Sequence, residues 1–94
     1  MDYIEYIKPP RPYELLKEII KENKIPIIRT ITKNIPHWII CNGYDEVTYD
    51  ILDPWLGIIK YTEKQLDEIW KPRDYQFFEV TGWKYYEESE QIKG

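Results

Sequence analysis

Ninety-four residues make one small domain with a single modest core. A hydrophobic content of 43%, with four Trp and nine Tyr, excludes wholesale disorder, and a formal charge of −4 with scattered basic residues excludes a domain built to grip nucleic-acid phosphates. One cysteine excludes an internal disulfide, and no apolar run nears the ~18 residues of a membrane span, so neither nucleic acid nor a membrane is an expected partner.

The start Met1-Asp2-Tyr3-Ile4-Glu5-Tyr6 carries acids where a signal peptide carries bases, so the expected setting is the cytoplasm or a virus-encoded protein. Sixteen Ile beside many Lys and Glu point to a thermophilic source, a bias that an AT-rich genome also produces. Residues 1–8 read as a short strand or an extended arm. Lys8-Pro9-Pro10-Arg11-Pro12 is a stiff, polyproline-like connector, and residues 1–11 are taken together as arm and linker. Pro12 suits the first turn of a helix. From Tyr13 to Asn23, Leu15, Leu16, Ile19 and Ile20 share one face, which predicts an amphipathic helix of about three turns.

Ile25–Thr32 is β-branched and bounded by Lys24 and Lys33-Asn34, so it reads as a strand. His37–Asn42 is the next strand, with Asn42-Gly43 opening a turn in which glycine would supply a positive φ. Val47–Asp53 is its antiparallel partner. Pro54-Trp55-Leu56-Gly57 turns the chain into Ile58–Tyr61. Thr62-Glu63-Lys64-Gln65 has capping-box spacing before Leu66, Ile69 and Trp70, and Lys71-Pro72 stops that helix. Tyr75–Val80 alternates as a last strand. Residues 83–94 begin with Trp83, Tyr85 and Tyr86 and end acidic, as a tail. The expected fold is α+β: a small antiparallel sheet of four to five strands with two helices to one side, over residues 12–82.

The only histidine and an aspartate locked before a proline stand at the ends of neighbouring strands. If the turn is centred on Asp45, His37 lies opposite Asp53, Ile39 opposite Ile51 and Cys41 opposite Tyr49, with Cβ atoms about 5 Å apart. That separation suits a carboxylate fixing an imidazole tautomer. A slip of one residue puts the two on opposite faces. On spacing alone, a His at a strand edge and an Asp before Pro are more often turn and edge residues than a dyad.

The run His37-Trp38-Ile39-Ile40, then Gly43-Tyr44-Asp45, then Tyr49-x-Ile51-x-Asp53-Pro54, resembles the second half of a papain-like cysteine peptidase of the bacteriocin-processing, double-glycine-leader type. Leu15–Lys21 with Ile25-Pro26-Ile27-Ile28 resembles the helix and strand upstream of that family's histidine, and Tyr61-Thr62 with Leu66 and Trp70 resembles its closing helix. The similarity spans roughly residues 12–80. It implies His37 and Asp53 as base and orienter. In that family the nucleophilic Cys begins a buried helix well upstream, with a Gln shortly before it. The 36 residues before His37 hold neither, so the expectation is a truncated domain lacking the nucleophile segment.

Cys41 follows His37 by four strand positions, roughly 13 Å, and reads as a small buried residue rather than a nucleophile. Ser89 lies in the tail, and Thr30 or Thr32 at best approaches the dyad from the neighbouring strand. With no second His or Cys, neither a zinc site nor any other cofactor is expected. Two readings remain. The first, which is the expectation and leans away from an enzyme, is a non-catalytic pseudo-peptidase that binds a protein or peptide, or a second copy of itself. Trp38, Tyr44 and Trp55 are its candidate binding residues, and the arms Tyr3/Tyr6 and Trp83/Tyr85/Tyr86 are further candidate contacts that pack equally well on the domain's own core. The second is the His/Asp subunit of a split cysteine peptidase whose Cys lobe comes from another chain.

Overall fold

The β-branched segment Ile25–Thr32 forms β2, and β3 (Ile35–Tyr44), β4 (Thr48–Asp53) and β5 (Gly57–Thr62) follow it as an antiparallel meander. The computed structural model describes residues 2–82, so the tail expected over 83–94 lies outside the described residues. After β5 the chain crosses the sheet through α2 (Glu63–Trp70) and returns as β6 (Phe77–Gly82) on the far side of β2. β1 (Asp2–Tyr6) adds outside β6, giving the order β1-β6-β2-β3-β4-β5. The sheet thus has six strands, more than the four to five expected. The extra one is the N-terminal segment, whose hydrogen-bonding partner lies more than 70 residues away in sequence.

Both helices form where their caps and periodicity place them. α1 (Pro12–Lys21) starts on proline, which loses no hydrogen bond in the first turn. It ends in a Schellman closure: Lys24 N–H donates to Ile19 O and Asn23 N–H to Ile20 O, with Asn23 in the left-handed region at φ 61°. α2 begins in a capping box. The Thr62 hydroxyl accepts from Gln65 N–H at 3.2 Å, and the Gln65 side chain accepts from Thr62 N–H at 2.9 Å.

One face of the sheet carries Ile28, Ile39, Cys41, Ile51 and Phe77 against Leu16 and Ile19 of α1 and Leu66 and Trp70 of α2. Trp70 is fully buried, edge-on to Tyr13, Tyr75 and Phe77, and its indole N–H donates to Gln76 O at 3.0 Å. The opposite face bears an apolar row across five strands, Phe78–Ile27–Ile40–Leu52–Ile58, in register from β6 to β5.

The β3–β4 register differs from expectation. Cys41 pairs with Ile51 and Ile40 with Leu52, two residues away from the pairing that sets Cys41 against Tyr49. Nearer the turn a bulge at Asn42 moves the register by one, so that Gly43 pairs with Asp50 and Tyr44 with Tyr49. The turn itself is built by Asp45, not by Asn42-Gly43. The Asp45 carboxylate accepts from Val47 N–H at 2.8 Å and Thr48 N–H at 2.7 Å, an Asx-type closure. Gly43 stays in the strand without a positive φ. It is small for another reason, because a Cβ there would stand 2.7 Å from Asp50 Oδ2.

Candidate active site

β3 and β4 alternate, so His37, Ile39 and Cys41 share the helix-covered face with Tyr49, Ile51 and Asp53. Counted on in the observed register, Asp53 stands opposite Ile39, and His37 is its diagonal neighbour. Diagonal neighbours on one face are within reach for a long side chain. His37 Nε2 and Asp53 Oδ1 are 2.8 Å apart, and both residues are only 7% exposed. The pair therefore forms although the two residues are not directly opposed. A two-residue shift keeps the faces, whereas a one-residue shift on this side of the bulge would have separated them.

Asp53 Oδ1 accepts two further hydrogen bonds, from Trp55 N–H at 2.7 Å and Leu56 N–H at 3.2 Å. The turn after Pro54 thus closes onto the same oxygen that meets the imidazole. Burial alone would push the Asp53 carboxyl up. The His37 ring N–H and the two backbone N–H groups outweigh it and hold the group below its ordinary 3.8. An ionised Asp53 requires a donor at Nε2, which leaves the lone pair on Nδ1. Among the described residues Nδ1 has no hydrogen-bond partner. The strand below is fixed by Thr30, whose buried hydroxyl donates to His37 O at 3.0 Å. The Thr30 hydroxyl is engaged on the backbone and is not presented as a nucleophile.

The remaining sequence candidates are spread over the molecule. Cys41 is fully buried on β3, its Sγ 3.5 Å from Gly43 O, and burial pushes its thiol up to about 12, so it stays protonated at neutral pH. Trp38 projects from the opposite face of β3, 40% exposed, with the Phe78 ring 5.3 Å away and the Arg29 guanidinium 5.7 Å from its centroid. Tyr44 packs near Tyr49, with the Lys17 ammonium 5.5 Å above its ring. Only Trp55 joins the dyad: its indole stacks on the imidazole, with centroids 3.7 Å apart and planes 19° from parallel. Trp38 thus lies on the face of the sheet opposite the dyad, apart from Trp55. Of the N-terminal arm, Tyr6 packs on the domain itself, stacked on Phe77 with its hydroxyl on Glu79 Oε1 at 2.8 Å, while Tyr3 stays 59% exposed.

Sequence reasoning missed the backbone donors of Trp55 and Leu56 and the anchoring role of Thr30. The first carried a signal, since Asp followed by a Pro-containing turn and Gly57 (φ 84°) favours side-chain closure onto the following N–H groups. A cleft of about 890 Å³ between the proline connector and α2, lined by Pro9, Pro10, Tyr13, Asp67, Pro72 and Tyr75 among others, includes neither member of the dyad. The titratable pair that matters chemically sits elsewhere.

The antiparallel sheet with its helices on one face makes this an α+β domain, and the imidazole held by a buried carboxylate is its one titratable pair of this kind among the described residues. A family model for the peptidase C39 family matches residues 10–74, and the chain belongs to that family. Neither the curated proteins nor the solved structures gave a match. Among the described residues no helix is long and apolar enough to cross a membrane.

Proposed function

We propose that this domain carries the base and the orienting acid of a cysteine peptidase site, and that the attacking thiol comes from outside these 94 residues, in a second polypeptide or another part of a longer one. The observation that carries the reading is the buried His37–Asp53 hydrogen bond, which leaves Nδ1 without a partner among the described residues. A domain that only binds a partner has no use for a histidine held in one tautomer. In the reaction, Nδ1 takes the proton of an incoming thiol, and Asp53 stabilises the imidazolium so formed. The thiolate adds to the scissile carbonyl, and the amine leaves with the Nδ1 proton. Water, deprotonated by Nδ1, then hydrolyses the acyl–sulfur bond and restores the thiol. Cys41 takes no part, being buried and four strand positions from His37.

The second reading is a non-catalytic module that binds a protein or peptide. It is favoured by large apolar side chains left in solvent, with Trp55 at 59%, Leu56 at 64% and Ile58 at 85% exposure. One experiment separates the two. The gene product, tagged as the cell makes it, is purified with whatever it binds and treated with a peptide chloromethyl ketone. The peptidase reading expects alkylation of a thiol other than Cys41, slowed roughly a hundredfold by His37→Ala. Alkylation that is indifferent to His37, or a bound partner with no reactive thiol, refutes it and leaves the binding module.

A further inference from the structure

We infer that two copies of this chain exchange β1: the strand leaves its own β6 and pairs, in the same register, with the β6 of the second copy. β1 is an edge strand bonded to β6 alone, and four of its five side chains are exposed. Its side-chain contacts fall on Gln76 and β6. The Tyr6 ring stacks on Phe77 at 4.8 Å, and its hydroxyl donates to Glu79 Oε1 at 2.8 Å. Tyr3 meets Phe78 edge-on at 5.3 Å, and Glu5 accepts from the Gln76 side chain. None of these contacts depends on which chain supplies the strand.

The connector gives the strand a reason to leave. Lys8 sits in the left-handed region at φ 52°, directly before Pro9. A residue with a Cβ is disfavoured there, and a following proline drives its backbone toward extended conformations. The folded-back turn is held by Lys8 N–H donating to Asp74 O at 2.9 Å. Once Lys8 extends, Lys8-Pro9-Pro10-Arg11 runs on as a polyproline-like arm of roughly 12 Å, which carries β1 away from its own β6. Strain of this kind weights the equilibrium roughly five- to a hundredfold at each hinge, and a short hinge under strain invites exchange.

β6 does not stay open after β1 has left. Phe77 is fully buried with the Tyr6 ring stacked on it. Glu79, only 4% exposed, is shared between the Tyr6 hydroxyl and the Lys24 ammonium, the latter at 3.2 Å. An unpaired strand edge beside an uncovered phenylalanine is unfavourable in water. The alternative to the closed monomer is therefore a reciprocal dimer, closed by two-fold symmetry, in which each β6 takes the other copy's β1. The dyad lies on β3 and β4, away from this edge, so the exchange stands independently of the peptidase reading.

The experiment compares the full chain with Lys8→Gly and Lys8→Val by sedimentation velocity. Lys8 is exposed, so neither change reaches the core. A strand on a short tether has an effective concentration in the mM range, so loading runs up to about 1 mM. Wild type is expected to show a dimer that grows with concentration. Lys8→Gly accepts the positive φ and lowers the dimerisation constant, whereas β-branched Lys8→Val raises it, each by roughly tenfold. Glu5 pairs with Phe78, so a second arm refolds Glu5→Cys chains together with Phe78→Cys chains and then oxidises them, with Cys41 buried. A mixed disulfide in excess of either variant's self-coupling is expected, since it joins β1 of one copy to β6 of the other. The inference is overturned by a wild type that stays monomeric at about 1 mM, by a dimer whose fraction ignores Lys8, or by a dimer without that excess. If Lys8→Val fails to fold, Lys8→Gly and the mixed disulfide decide.

Discussion

Replacing Asp53 tests whether the dyad is as tightly built as its distances indicate. Asp53→Ala removes the acceptor of three N–H groups at once: His37 Nε2, Trp55 N and Leu56 N. The two backbone donors sit in a turn flanked by exposed side chains and regain water at small cost. The imidazole N–H is buried and does not, and a buried donor left without its charged partner costs about 1–3 kcal/mol. Adding a few tenths for each turn donor, the expected loss is about 2–4 kcal/mol. At about 4–8 °C per kcal/mol for a domain of this size, that lowers Tm by roughly 8–32 °C. Asp53→Asn keeps an oxygen for the same donors but no charge, and separates the two contributions by pH. The folded Asp53 pKa is lowered, so its charge-linked stability is fully present above the unfolded value near 3.8 and is lost as pH falls through the lower folded value. The gap between wild type and Asp53→Asn in urea titrations is therefore expected to be constant above pH ~5 and to close in acid. A gap unchanged down to pH ~2, or an Asp53→Ala cost under ~0.5 kcal/mol, refutes a strongly bonded Asp53.

Cys41 should resist a thiol reagent at pH 7 in the native state and react only on unfolding, with His37→Ala making no difference; rapid native labelling that His37→Ala abolishes would contradict the placement of this thiol. Gly43→Ala should cost about 1 kcal/mol, because the new Cβ meets the Asp50 carboxylate and disturbs its pair with Lys60. In an Asp50→Ala background the same change should be neutral or slightly stabilising, and equal costs in both backgrounds exclude the clash. Alkaline stability follows the tyrosines. Burial raises Tyr6, Tyr49 and Tyr75 to about 12, so the unfolded chain ionises first and stability falls from pH ~10 upward. Tyrosinate absorbance should then rise together with the loss of folded signal; titration of these groups in a protein that stays folded at pH ~10 would show that their burial is overstated.

Local chemistry made α1, β2 and α2 legible. Leucine and isoleucine spacing, the Pro12 start, the Thr62–Gln65 capping box and an uninterrupted β-branched run act within a few residues, and each element formed where those signals stand. Pairing over distance was not legible in the same way. Nothing in Asp2–Tyr6 announces that β6 will come alongside it, since both its neighbours in space and its four exposed side chains are set by the rest of the sheet. Gly43 was misread because glycine has two common uses in a strand, a positive φ and a close approach, and only the approach of Asp50 distinguishes them. The dyad residues were legible by type and by face. Their diagonal geometry was not, because it depends on where the turn closes, and the Asp45 carboxylate rather than Asn42-Gly43 decides that.

The bulge at Asn42 is what reconciles that turn with the dyad. On the turn side Tyr44 pairs with Tyr49, and both rings lie on the helix-covered face beside Tyr13. On the other side Cys41 pairs with Ile51, also on that face, yet Cys41 and Tyr44 are three residues apart and an unbroken strand would send them to opposite faces. One extra residue restores the parity, and Asn42 is that residue, exposed and opposite no partner. Deleting Asn42 should therefore leave every other β3–β4 pair in place and keep His37 against Asp53. The expected cost is no more than ~2 kcal/mol from the lost local twist and the tightened strand. Urea titration gives the cost, and the His37 ring-nitrogen shifts give the state of the dyad. A deletion variant that stays folded but has lost the Nε2-protonated tautomer would mean that the bulge holds the dyad in register rather than merely separating it from the turn.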